Sequence, residues 1–193
     1  MLDSYPPLIY NILPSECERR FDMKTPTVRE IALVTVMAAV VCTLTYVVKV
    51  PIPATGGYFH LGDVGANFAA LAFGPGLGFL IAGGGMAIAD LLAGYASFAA
   101  GTFLIHGLQA AVVAWIGRHR KPWVMFLAAV AGGIVVVVGY LLYEWLILRI
   151  GLLVALQEVP ANLLQVTSGL IGVPVYLLVV RAYPPLARWS ERS

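Results

Sequence analysis

Charge is scarce in this 193-residue chain. Only 11% of its residues are charged, against roughly a quarter in an ordinary soluble domain, while 60% are hydrophobic. A mean hydropathy of +0.87 points the same way. A soluble domain of this length could not bury so much apolar surface, whereas a bilayer accepts it on the outside of the protein too. Cysteine is nearly absent: Cys17 and Cys42 make no disulfide framework, and no Cys-x-x-Cys pair offers zinc ligands. The chain has no broad basic field, since its net charge is +2 with the basic residues in short clusters, and this argues against nucleic acid as a partner. A phosphate loop is missing as well. Gly74-Pro75-Gly76-Leu77-Gly78 is followed by no lysine, and Gly83-Gly84-Gly85 falls inside an apolar run, where glycines let helices pack closely. Neither a His-Glu-x-x-His site nor a Gly-x-Ser-x-Gly elbow occurs, so no enzyme activity, metal or cofactor is expected.

What the chain does have is long apolar runs. A membrane helix needs about 20 mainly apolar residues, each adding ~1.5 Å across a ~30 Å core. Residues 31–48, 77–95, 99–116, 123–148 and 159–182 qualify, and a sixth, shorter run at 64–73 ends on the helix stop Gly74-Pro75-Gly76. The reading is an all-α, six-helix membrane bundle over 29–182, preceded by a polar extension (1–28) and followed by a short tail (183–193). The extension, broken by Pro6, Pro7 and Pro14, does not read as a cleavable signal peptide, and Met23-Lys24-Thr25 resembles an ordinary chain start.

Lysine and arginine placement sets the orientation. With six spans and a cytoplasmic N-terminus, Arg19, Arg20, Lys24, Arg29, Arg118, Arg120, Lys121, Arg181, Arg188 and Arg192 lie inside and only Lys49 and Arg149 outside, a split of 10 to 2. If the short run did not cross, the Arg118–Lys121 cluster would move outside. Six spans with both termini in the cytoplasm is therefore the expectation.

Polar groups at membrane depth are costly, roughly 2.5–3.5 kcal/mol for a central charge on insertion scales, and so are informative. Asp63 and Asn67 share one helical face, as do Thr102, His106 and Gln109, while Tyr140 and Glu144 stand one turn apart. Asp90, Asn162 and Gln165 complete the set. Given the six-span topology, all fall in the outer half of the membrane. Each alone is equally explained by bonding to a neighbouring helix or capping a helix start, but the segregation of the whole set by depth points to an outward-facing polar pocket. Between the first two spans, residues 51–63 carry prolines, a glycine pair and the flat rings of Tyr58 and Phe59. They are expected to form a gating loop over that pocket, interfacial anchoring being the alternative for either ring. On the first span, Ala32, Thr35, Ala39 and Thr43 line one face with small side chains, suited to close approach by another helix, in this chain or in a partner.

The run Pro53-Ala54-Thr55-Gly56-Gly57-Tyr58-Phe59-His60-Leu61-Gly62-Asp63, with Phe73-Gly74-Pro75 after it, resembles the substrate-binding S components of energy-coupling factor (ECF) vitamin transporters. So does Glu158-Val159-Pro160-Ala161-Asn162-Leu163-Leu164-Gln165 with Gly169 following. The likeness covers residues 23–182. It implies a subunit of the prokaryotic plasma membrane that captures a micronutrient outside the cell and joins a transmembrane coupling T component and two cytoplasmic ATPases. In that family the first helix docks through an Ala-x-x-x-Ala pattern; here Thr35-Val36-Met37-Ala38-Ala39 carries threonine in place of one alanine. The competing class is a self-sufficient ion-coupled secondary transporter driven by Asp63, Asp90 or Glu144, but the chain has no evident inverted repeat. Taken together, Tyr58, Phe59, Asp63, Asn67, Asp90, His106, Gln109, Glu144, Asn162 and Gln165 are the expected substrate contacts. Because acids but no lysine or arginine lie within the spans, the expected ligand is a neutral or weakly basic ring compound, such as a pyrimidine, pyridoxine-like or deazapurine precursor.

Overall fold

A computed structural model describes residues 27–186. Most of the polar extension and the end of the tail, with Cys17, Arg19, Arg20, Lys24, Arg188 and Arg192, lie outside the described residues. Helix α1 (Val28–Val47) begins at a reciprocal cap, in which the Thr27 hydroxyl accepts from the Glu30 N–H and the Glu30 carboxylate accepts from the Thr27 N–H (2.7 Å). Its inward face buries Val41 and Thr45 against the rest of the bundle, while Ala32, Thr35, Ala39 and Thr43 all face outward.

The segment after α1 departs from the all-α expectation. Instead of an irregular loop it is an antiparallel hairpin, β1 (Lys49–Ile52) paired with β2 (Gly57–His60) in the register Val50 to Phe59 and Pro51 to Tyr58. Pro51 fits because β1 is an edge strand, and Gly56, at φ +74°, turns the chain at the tip.

Helix α2 (Gly62–Ala93) combines two of the expected spans. It is not one straight rod: Gly74 adopts φ +83°, ψ −177°, and Pro75 cannot continue the hydrogen-bond ladder. A Cβ placed on Gly78 would lie 3.0 Å from the Ala70 Cα, whereas eight residues along a continuous helix are about 12 Å apart. The two arms therefore lie side by side, and the first, Gly62–Phe73, is only about 18 Å long at the usual rise. The Arg118 guanidinium packs onto Gly74 so closely that any Cβ there would collide with it. This puts a cation at the C-terminal end of the first arm, where helix carbonyls point.

Four more segments complete the bundle: α3 (Ala96–Gly117), α4 (Pro122–Leu142) running on into a π-helical turn at Tyr143–Ile147, α5 (Leu152–Ala155), and the last span broken into α6 (Val159–Gly169) and α7 (Gly172–Ala182). Five helical stretches among the described residues are long and apolar enough to cross a membrane, α2 counted once. The core is built from small residues, Ala66, Ala69, Ala70 and Ala82 with Leu71, Ile81 and Met86, so the helices approach closely. Gly83 and Gly85 take part, since a Cβ on either would strike the backbone carbonyl of Phe103 or Ala38.

Candidate functional site

The polar side chains gather at the hairpin end of the bundle, in two layers. The deeper layer is Asp63, Asn67, His106 and Gln109, every one at most 1% exposed. His106 Nδ1 lies 2.6 Å from Gln109 Oε1 and 3.2 Å from Asp63 Oδ1. The contact with Asp63 is an ion-pair distance without hydrogen-bond alignment, which is why both Asp63 oxygens lack a directed donor. Asn67 donates from Nδ2 to the Gly169 carbonyl (2.9 Å) and so ties α2 to the end of α6. None of these four faces the cavity above them.

The upper layer surrounds a small cavity of about 10 Å³, roughly the room of one water. The hairpin forms its roof. In β2, side chains alternate, so Tyr58 and His60 point inward while Phe59 turns away. The Tyr58 hydroxyl donates to Asp90 Oδ1 on the second arm of α2, and the His60 N–H donates to Gln165 Oε1 on α6 (3.2 Å). His60 is buried and accepts the Gly62 N–H at Nδ1 (3.1 Å). Burial first, and His106 second, hold its imidazole down to about 3, with Asp63 opposing them. His60 is therefore neutral at ordinary pH, with its proton on Nε2.

The walls come from the other helices. Thr102 on α3 and Tyr140 on α4 share a hydrogen bond (2.8 Å), and Phe98 adds an apolar face. Asn162 and Gln165, one turn apart on α6, face inward with Glu158 just before them. Glu158 rests on the hairpin backbone, so closely that a Cβ on Gly57 would collide with its carboxyl. Glu144, on the π-helical turn, is wholly buried and does not line the cavity.

Of the residues expected to contact a solute, Tyr58, Asp90, Asn162 and Gln165 line the cavity. Asp63, Asn67, His106 and Gln109 support it from below, Glu144 stands one layer back, and Phe59 points elsewhere. His60, Phe98 and Glu158 were not among the expected contacts. The alternation of a strand would have paired His60 with Tyr58, had a strand been read there. Among the described residues no group of three or more metal-ligating side chains comes together.

Comparison with known proteins gives a consistent picture. A family model described as "ECF-type riboflavin transporter, S component" matches residues 25–182. A Pyrococcus woesei protein described as "uncharacterized protein in gap 3'region" is 36% identical over 149 residues, covering 76% of this chain and 99% of that one. The thiamine precursor transporter HmpT of Lactococcus lactis subsp. cremoris (strain MG1363) is 29% identical over 126 residues, 64% of this chain and 74% of the relative. Among solved structures, one titled "Structure and mechanism of the S component of a bacterial ECF transporter" superposes with a TM-score of 0.59 at 18% identity, covering 80% of this chain and 95% of that one. At that identity the likeness speaks to the fold.

Proposed function

Since this chain belongs to the family of S components of ECF-type riboflavin transporters, we propose that it captures a vitamin or vitamin precursor outside the cell and hands it to a shared ATP-driven module. It is a multi-pass membrane protein, not an enzyme. Counting the two arms of α2 separately supports a reading of six crossings, with both termini in the cytoplasm and the hairpin outside. The 10-to-2 distribution of lysine and arginine supports that orientation. So does the position of Arg118, Arg120 and Lys121 at the end of α3, away from the hairpin.

The observation that carries the reading is the polar cavity roofed by the hairpin, latched by Tyr58 to Asp90 and seated on Glu158 at Gly57. A ring-sized solute enters only when the hairpin lifts, because the space beneath it holds about one water. Tyr58, His60, Asp90, Asn162 and Gln165 then hold a neutral or weakly basic ring compound, with the Tyr58 ring available for stacking. The small-residue face of α1 receives the T component, and two cytoplasmic ATPases supply the energy. The ion-coupled alternative is set aside with the family assignment.

Two measurements test this. Mass spectrometry of small molecules released from the purified chain should reveal a heterocyclic vitamin or precursor in near-stoichiometric amount. Uptake into proteoliposomes should require a T component and ATPases together with this chain. Uptake by the chain alone would return the secondary-transporter reading.

A further inference from the structure

The turn joining α3 to α4 is the most basic stretch among the described residues, Arg118-His119-Arg120-Lys121. Arg118 turns inward onto Gly74. Arg120 and Lys121 are both exposed, and among the described residues neither forms an ion pair. No acid offsets them on their own helices, because the sequence has no aspartate or glutamate between Asp90 and Glu144. Helix α7, which runs to the same end of the bundle, has Arg181 as its sole charged residue. His119, in the left-handed region at φ +59°, ends α3, and the Arg120 N–H donates back to the Gly117 carbonyl (3.1 Å). Arg120 thereby stands on the outer surface of the α3–α4 pair. With Trp115, Ile116 and Val124 it borders an open groove of about 450 Å³. Trp115 is 84% exposed and Trp123, on the first turn of α4, 61%. Neither indole N–H has a hydrogen-bond partner among the described residues.

We infer that this groove binds one anionic phospholipid, its phosphodiester on Arg120 and an acyl chain against Ile116 and Val124. The site lies at the end of the bundle away from the solute cavity, and it stands or falls independently of solute capture. An apolar groove on the outside of a membrane protein meets lipid in any case, so charge decides which lipid stays. A guanidinium offers two parallel N–H groups to the two non-bridging oxygens of a phosphodiester. That contact alone accepts any phospholipid. Lys121 adds a second cation beside it, with no carboxylate on α3 or α4 to receive the ammonium of a zwitterionic headgroup. A phosphatidylglycerol headgroup brings neutral hydroxyls to that place instead. Indoles settle where headgroups meet tails, and their N–H groups donate to ester or phosphate oxygens. A basic pocket between membrane helices, at the level of the headgroups, is an arrangement suited to an anionic lipid.

Brominated lipids test this, because bromine on an acyl chain quenches indole fluorescence on contact. In the full-length chain with Trp145 and Trp189 replaced by phenylalanine, Trp115 and Trp123 are the remaining reporters. The protein is placed in phosphatidylcholine vesicles holding an equal minor fraction of either brominated phosphatidylglycerol or brominated phosphatidylcholine. The anionic lipid should show at least about threefold stronger association than the zwitterionic one. Native mass spectrometry of chain released from vesicles of the same two lipids, unbrominated, should find a single retained phosphatidylglycerol. The double variant Arg120→Gln with Lys121→Gln should bring the ratio to about one, since neither side chain lines the solute cavity and only the lipid contact is lost. Should that variant fail to give monodisperse protein, Lys121→Gln alone should still cut the ratio to about half. Equal quenching by the two lipids in the chain with both cations overturns the inference, as does a preference that survives the substitutions. Weak quenching by both lipids also overturns it, and would mean that protein, such as a second copy of this chain, covers the groove.

Discussion

The phenol of Tyr58 and the carboxylate of Asp90, 32 positions apart in sequence, are joined by a hydrogen bond that fastens the hairpin to the bundle. Asp90 is 2% exposed, so removing its donor leaves a buried acceptor with one bond fewer. Tyr58→Phe keeps the ring and removes the bond. It should speed release of the co-purifying ligand about five- to tenfold, the scale of one lost hydrogen bond. Stopped-flow measurement of the dissociation rate checks this, and an unchanged rate would mean that the bond does not hold the hairpin shut.

Much of this arrangement was legible in the sequence, and the remainder has identifiable causes. The Gly74-Pro75-Gly76 stop marked the reversal inside α2, because only such residues permit a positive φ and a broken ladder together. Helical spacing grouped Asp63 with Asn67, and Thr102 with His106 and Gln109. Spacing along one helix cannot say which neighbour lies opposite, so it did not separate the buried layer from the cavity wall. The hairpin was hidden by its four-residue strands and prolines, and with it went the alternation that turns His60 inward and Phe59 outward. Glu158 was obscured because, just ahead of Pro160, it read as part of a helix start.

The buried His60 makes closure sensitive to acid. In the closed state burial, followed by His106, holds its imidazole at about 3, against 6.5 for an ordinary histidine. A lifted hairpin returns it to water and towards that ordinary value. The closed form thus binds fewer protons than the open one, so closure is fully favoured above about pH 6.5 and weakens as pH falls towards 3. Ligand affinity should drop between about pH 6.5 and 5, and His60→Gln should flatten that part of the profile. Asp63, His106 and Asp90 face the same region, so a drop that persists undiminished in His60→Gln would assign the effect to them.

The proposed topology rests on the charge split and on the folding back of α2. In a background with Cys17 and Cys42 replaced by serine, a cysteine at Ala54, exposed at the tip of the hairpin, should react with a membrane-impermeant maleimide in intact cells. Cysteines at Arg120 and Ser193 should react only after the membrane is permeabilised. Labelling of Ser193→Cys from outside would overturn the six-crossing arrangement.

The outward face of α1 carries the last expectation. Ala39 and Thr43 are exposed and, with Val36, Val40 and Leu44, border an open groove of about 360 Å³. The Thr43 hydroxyl is turned back onto the Ala39 carbonyl (2.8 Å), so it presents its methyl group and no free donor to whatever lies alongside. Thr35 does the same towards Ile31 (2.8 Å), which explains how threonine can stand where the family pattern has alanine. A helix from the T component could approach this strip as closely as one small residue permits, and a bulky ring would hold it off. Ala39→Trp should therefore abolish uptake in cells that supply the T component and ATPases. Ligand affinity of the purified variant should stay within about twofold, because Ala39 lies on the outer surface and takes no part in the cavity wall. Undiminished uptake by Ala39→Trp would move the docking surface elsewhere, and a parallel loss of ligand binding would show that the substitution had disturbed the bundle instead.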